Sequence, residues 1–429
     1  MADEFDTRTL EILDRLGLTA DMVRTHVIRH DHLADAAQHI ELREPGDHGD
    51  GADPAPSGLF YRLDIDGLSQ DLHALLSPCL AGYALQLRQY GQVLINHQWG
   101  WARTFPDGNL HWTPDVQMHV ASASKLITAM AMTKLLHSRN MSPDDRIGPW
   151  LPPHWVRGPG VDRITFRQLL THTSKLVMLN EPGLGDYQFM KDQIAIGAVG
   201  GVGYRNINYT LCRILLATID APFLFTTLTP GITDRYWDLT TIRYYQRYVQ
   251  ANIFDTVGTT SGFTRTAAHA LAYPFPVTSP GLAEEDLSTM SGAVGWHLSI
   301  DDVLAIMATF RRLNTIVDPA RALSMLDRKF GVDLKEDTPL GRIYGKGGFW
   351  SFERGKYVQQ TNLFFLPKGM ELAILANSPL CTPDRAFMDD VFAAIKRNIK
   401  FRVLTVAAAV TAGVAFAGLL RRTRAKGRR

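Results

Sequence analysis

The chain has 429 residues with 45 Lys and Arg against 43 Asp and Glu, for a net charge of +2. That balance leaves no electrostatic footprint for nucleic acid, and 45% hydrophobic residues exclude a disordered chain. The length suits one large or two ordinary domains.

Residues 1–57 read as a polar N-terminal extension and linker. The first 43 are acidic and polar, with one amphipathic helix expected near Leu10, Leu13 and Leu16. His26, His30 and His32 lie close to Asp31 and Asp35, but no standard metal-ligand spacing is met, so a solvated helix face is expected there. Residues 44–58 are rich in Gly, Pro and Asp and read as the linker. Alternating runs at 82–89 and 92–99, separated by Tyr90-Gly91, predict a hairpin that opens a sheet.

Ser122-Ala-Ser-Lys125 follows, at the mouth of a helical run. A serine hydroxyl is a weak nucleophile until a neighbour takes its proton. Residues three apart share a helix face, so Ser122 and Lys125 can meet without help from the rest of the fold. Leu126, Ile127, Met130 and Leu135 are expected to bury the helix. The helix N-terminus adds N–H groups and partial positive charge where an oxyanion would form. On its own the tetrapeptide reads equally as a helix start with a lysine in its first turn.

Tyr204-Arg-Asn206 comes next. Tyrosine has an ordinary pKa near 10, and two nearby ammonium groups would pull it down, allowing Tyr204 to carry the serine proton. Asn206 offers a donor and an acceptor to a substrate amide or ester. Taken singly, these are a loop tyrosine and a capping asparagine. The region to Tyr248 is aromatic (Phe223, Phe225, Tyr236, Trp237, Tyr244, Tyr245), as a core or a pocket wall would be. Lys346-Gly347-Gly348 then precedes strand-like runs at 356–366 and 371–377. A lysine beside glycines on an edge strand lets substrate approach closely, although a lone K-G-G is also what a surface bulge looks like. Residues from 122 to about 330 have a mostly helical pattern, and 384–400 read as a last helix.

Cys79, Cys212 and Cys381 are far apart and odd in number, implying no disulfide framework; buried small hydrophobes are expected. Residues 403–420 form an uncharged run flanked by basic clusters, with 421–429 a basic tail. As a helix the run would span roughly 27 Å, close to a bilayer core. It predicts a single-pass C-terminal anchor and membrane association. The stronger basic cluster after the run favours an exported catalytic domain, while the N-terminus has no apolar signal region, so orientation stays open.

The ordered set Ser122-x-x-Lys125, Tyr204-x-Asn206 and Lys346-x-Gly348 resembles the serine beta-lactamase-related family. That family includes class C beta-lactamases, D-alanyl-D-alanine carboxypeptidases, D-aminopeptidases and serine esterases. Further segments are similar to family segments: His119-Val-Ala-Ser-Ala-Ser-Lys125, Arg163 to Ser174, Ile253 to Gly258 and Ser291 to Leu304. The resemblance covers roughly residues 75 to 400.

It implies an α+β, beta-lactamase/transpeptidase-like fold over residues 58–400: an antiparallel sheet flanked by helices plus an all-α lobe, with the site at the seam. It implies Ser122 as nucleophile, Lys125 and Tyr204 as proton carriers, and Lys346 as the group tuning Tyr204. Asn206, Gly347, Gly348 and Phe349 would bind substrate, with the N–H groups of Ser122 and Phe349 as oxyanion donors. No cofactor or metal is needed. A Ser-His-Asp reading with His172 is disfavoured, because the lysine and tyrosine fill that role and Thr171-His172-Thr173 matches a structural segment of the family.

Three departures stand out. Lys175 replaces the glycine after H-T-S, Thr256-Val257 replaces Pro-Leu, and Gly347 replaces the threonine of Lys-Thr-Gly. Without that hydroxyl, esters or small amides are expected to be better substrates than beta-lactams. The competing reading is a non-catalytic membrane scaffold or ligand-binding protein, and covalent labelling by a fluorophosphonate would separate the two.

Overall fold

A computed structural model describes residues 5–26, 28, 60–177, 186–225, 228–229, 231–381 and 387–401. Helices α1 (Thr7–Arg15) and α2 (Ala20–Thr25) come first, each capped by a side chain, Asp6 and Thr19. Strand β1 (Tyr61–Leu63) leads into α3 (Ile65–Leu76), and the hairpin β2 (Gly82–Gln89) and β3 (Gln92–Arg103) follows as expected. Short strands β4 (Leu110–His111) and β5 (Met118–His119) precede α4 (Ser124–Ser138).

The middle of the chain carries α5 (Phe166–Leu170), α6 (Tyr187–Ile196), α7 (Ile207–Asp220) and α8 (Ile232–Val249), but 255–296 holds no α-helix where the pattern predicts mostly helix. A two-residue strand β6 (His297–Leu298) pairs with β5, and α9 (Ile300–Arg312) and α10 (Pro319–Asp327) complete this part. The sheet then resumes with β7 (Leu334–Thr338), β8 (Gly341–Phe352), β9 (Tyr357–Leu366) and β10 (Met370–Ala376). Helix α11 (Phe387–Arg397) and β11 (Ile399–Phe401) end the described chain.

The main sheet has seven antiparallel strands in the order β4-β3-β2-β10-β9-β8-β7. Its central strands are apolar on both faces because both faces are covered. Leu372, Ile374 and Phe364 face α3 and α11, with Leu68, Leu72, Val391 and Ile395. Their neighbours Ala373, Leu375, Leu363 and Phe365 face the helical lobe. The strand's two-residue alternation thus feeds two cores. Helix α4 is buried all round, from Ser124 to Leu136 with few exceptions, as a helix in the middle of a lobe must be.

The N-terminal stretch read as a polar extension contributes to the core. Phe5, Ile12, Leu13, Leu16, Leu18 and Val23 join the helical lobe, while Leu10 faces solvent. His26, expected on a solvated helix face, instead turns inward and bonds the buried Asp238 at 2.8 Å, and Asp238 also pairs with the buried Arg213. Among the described residues no cluster could hold a metal; His30 and His32 lie outside them.

The cysteine expectation is corrected. Cys79 and Cys381 form a disulfide, and only Cys212 is free and buried. Cys79 lies just before β2 and Cys381 just after β10. The β2–β10 pairing, with Tyr83 opposite Ala376, brings them together across 302 residues of sequence. The aromatic stretch is mostly core: Tyr236, Trp237 and Tyr245 are buried, and Phe223 is exposed. The run at 403–420 lies outside the described residues, and among those described no helix is long and apolar enough to cross a membrane.

Candidate active site

Ser122 lies in a 3-10 turn, Ala121–Ala123, that runs into α4, rather than inside the α-helix proper. Ser122 and Lys125 still face each other, because residues i and i+3 also align on a 3-10 turn. Ala121 adopts φ +49°, an uncommon conformation for a side chain with a Cβ, immediately before the serine. The turn is held by Ala123 N–H donating to Val120 O and by Val120 N–H donating to Trp296 O.

Lys125 Nζ lies 3.0 Å from Ser122 Oγ, 2.8 Å from Asn206 Oδ1 and 3.0 Å from Ala293 O. Burial, then repulsion from Lys346, pushes its pKa well below the usual lysine value. A neutral amine has two donors and one lone pair. The two carbonyl oxygens use the donors, which leaves the lone pair for the Ser122 hydroxyl. The surroundings thus favour the form that can accept a proton.

Tyr204 sits between the two lysines: Lys125 Nζ is 5.0 Å and Lys346 Nζ 5.3 Å from its ring centroid. The expected lowering of its pKa is not found. Burial raises it, more than Lys346 lowers it, and Asp333 adds to the rise. The physical reason is that burial of the hydroxyl costs the phenolate more than the Lys346 ammonium returns, while Lys125 is itself held toward its neutral form. The Tyr204 hydroxyl is buried and makes no hydrogen bond of normal geometry, although Ser122 and Lys346 are the polar side chains that influence it. His172 stacks on the Tyr204 ring with centroids 4.2 Å apart, and its Nδ1 accepts from Arg205 N–H at 3.2 Å. Burial holds its pKa well below the imidazole norm. It braces the tyrosine and has no contact with Ser122 of a triad kind.

Local sequence explains this bracing. Thr165 and Gln168 form a reciprocal capping box that starts α5, and the chain leaves that helix through His172 at φ +58°. Lys175, where the family has glycine, keeps φ +62°, so the left-handed turn persists despite the substitution.

Lys346, Gly347 and Gly348 lie on β8 just beyond the end of β7, whose last pair is Leu334 with Gly345. The strand is internal over 341–345 and open-edged from 346, which refines the edge-strand expectation. Gly348 packs on the serine turn: a Cβ there would meet Val120 O at 2.3 Å and Ala123 N at 3.1 Å. Gly347 N–H points off the open edge to Asp333 Oδ2 at 3.0 Å. Two residues on, the strand repeat directs Phe349 N–H off the same open edge. Lys346 is buried and pairs with Asp333 at 2.8 and 3.0 Å. Burial opposes its charge, but Asp333 and Tyr204 together outweigh burial and its pKa is raised.

All eight candidate residues therefore lie at one seam between sheet and helical lobe. Asp333 and the Ala293 carbonyl were not anticipated. Asp333 precedes β7, 13 positions before Lys346, and only the β7–β8 register brings them together.

The family model for beta-lactamase matches residues 72–393. The chain belongs to the beta-lactamase family. The structure resembles a beta-lactamase/D-alanine carboxypeptidase from Pseudomonas syringae, with TM-score 0.58 and 15% identity over 78% of this chain and 98% of that one. It also resembles a D-amino acid amidase from Ochrobactrum anthropi SV3, complexed with L-phenylalanine amide (TM-score 0.54, 16% identity, 78% and 95% coverage). A third similar structure is the octameric penicillin-binding protein homologue from Pyrococcus abyssi (TM-score 0.54, 16% identity, 81% and 76% coverage). At these identities the likeness is one of fold. No curated protein sequence matches the chain.

Proposed function

We propose that this member of the beta-lactamase family is a serine hydrolase that cleaves esters or small amides through an acyl-enzyme on Ser122. The observation that carries the reading is the buried Lys125 amine, 3.0 Å from Ser122 Oγ and fixed by two carbonyl acceptors. Neutral Lys125 takes the serine proton as Oγ bonds to the carbonyl carbon. The N–H groups of Ser122 and Phe349 stabilise the oxyanion. As the bond to the leaving group breaks, Tyr204 donates its proton to that group, and the Lys125 ammonium restores it. Lys346 stabilises the transient phenolate. Water then attacks the acyl-enzyme by the reverse relay, releasing the acid.

Esters are favoured over beta-lactams because Gly347 offers no hydroxyl to a substrate carboxylate. Membrane association through 403–420 belongs to the same proposal, supported by the uncharged run between basic clusters. A fluorophosphonate should label the wild type and not Ser122→Ala. The purified protein should have a higher kcat/KM for p-nitrophenyl acetate than for a cephalosporin. An unlabelled wild type with no esterase activity would contradict the catalytic reading, and a preferred cephalosporin would contradict the substrate preference.

A further inference from the structure

Lys346 is engaged inside the protein, by Asp333 and by Tyr204, rather than held open for an anionic substrate. Both Asp333 oxygens contact its Nζ, at 2.8 and 3.0 Å, and one of them also accepts the Gly347 N–H. The lysine side chain is 2% exposed, while the Asp333 side chain is 16% exposed. Of the pair, the carboxylate is the member that solvent reaches. A carboxylate can accept about four hydrogen bonds, and these three contacts leave room for one more donor. Of the two other groups of the proton relay, Lys125 is held toward the neutral amine and Tyr204 toward the neutral phenol. Lys329, a further lysine in the field of Asp333, also lies in the field of Glu336.

The carboxylate also has a definite place relative to the reacting bond. It caps Gly347 N–H, one strand repeat, about 7 Å, from Phe349 N–H, the oxyanion donor. It lies on the Lys346 and Tyr204 side, and Tyr204 is the group that protonates the departing atom. On the proton relay proposed above, that is the side of the departing group.

We infer that Asp333 is a specificity-determining residue that recognises a cationic leaving group, an amine or quaternary ammonium a few bonds beyond the scissile oxygen, sulfur or nitrogen, and rejects carboxylates there. The inference rests on the hydrolase reading above and deepens it to a substrate class. A charge-assisted hydrogen bond or close ion contact at such a site corresponds to roughly 10 to 10² in kcat/KM. A carboxylate in the same place meets like charge, and the neighbouring lysine is already satisfied.

Three thioesters test it: S-acetylthiocholine, S-ethyl thioacetate and S-acetylthioglycolate, which carry positive, neutral and negative leaving groups. All three give the same acetyl-enzyme, so differences in kcat/KM report acylation. Intrinsic leaving-group reactivity cancels when the wild-type ratio is divided by the ratio in Asp333→Asn. The cation-to-anion ratio should fall by about 10 to 10² in Asp333→Asn. It should keep its sign in Asp333→Glu and shrink with added salt. If instead all three substrates lose activity equally, Asp333 only holds Lys346 in place and the inference is overturned. Equilibrium binding to Ser122→Ala gives a readout independent of turnover. S-acetylthiocholine should bind more tightly than S-acetylthioglycolate, and Asp333→Asn in that background should remove the difference. Equal binding by the two ligands before the Asp333 change would also overturn it. A failure of the hydrolase reading shows separately, as loss of fluorophosphonate labelling and turnover with the charge preference in binding intact.

Discussion

Adding one methyl group at Gly348 should disable the enzyme, while the same change one residue earlier should not. A Cβ on Gly348 would lie 2.3 Å from Val120 O. Ordinary carbon–oxygen contacts are about 3.3 Å or longer, so β8 and the serine turn must separate by about 1 Å. Both partners are backbone, so no side-chain rotation can relieve the clash. Misplacement of that size costs about 10²-fold in rate, and overpacking of this kind about 1–3 kcal/mol in stability. At Gly347 the nearest atom to a new Cβ is Asp333 Oδ2 at 3.7 Å, an ordinary contact. We expect Gly348→Ala to lower kcat/KM for p-nitrophenyl acetate by about 10² with a lower Tm, and Gly347→Ala to stay within a few-fold of wild type. The fluorophosphonate labelling rate should follow the same order. Equal activity in the two variants would refute the view that contact between β8 and the Ser122 turn sets the oxyanion geometry.

Tyr204→Phe should reduce acylation by about 10² to 10⁴, the usual contribution of general acid–base catalysis, in single-turnover assays; an unchanged rate would assign the whole relay to Lys125. Because the Lys125 pKa is depressed and its neutral form is the base, acylation should rise with pH through that pKa and level off well below the ordinary lysine value of 10.5. A pH–rate profile still climbing at 10.5 would contradict a depressed base. Deleting residues 402–429 should leave an active domain that no longer pellets with membranes after a carbonate wash, since every described element ends by Phe401. Retention in the pellet would place the anchor elsewhere.

The sequence made the chemistry more legible than its electrostatics. Ser122 and Lys125 meet because their spacing is local, and the β2–β3 hairpin is readable because Tyr90-Gly91 sits between alternating runs. The β9 and β10 runs are equally local in character. What escaped depends on tertiary pairing. Asp333 reaches Lys346 only through the β7–β8 register, and Cys79 reaches Cys381 only through β2–β10. Proximity to two lysines suggested an acidic Tyr204, but burial and a carboxylate invert that sign, and neither is visible in a tripeptide. The Leu spacing predicts the helix in the N-terminal stretch. Its docking required knowing that Ile12, Leu13 and Leu16, not Leu10, meet the helical lobe.

The most direct test of the central claim is to mix the protein with excess p-nitrophenyl acetate, quench within one turnover, and map the trapped acetyl group by peptide mass spectrometry. The account predicts one acetylated peptide, modified at Ser122, formed in a burst of p-nitrophenol and absent from Ser122→Ala. Acetylation confined to another residue, or turnover in Ser122→Ala at the wild-type rate, would contradict it.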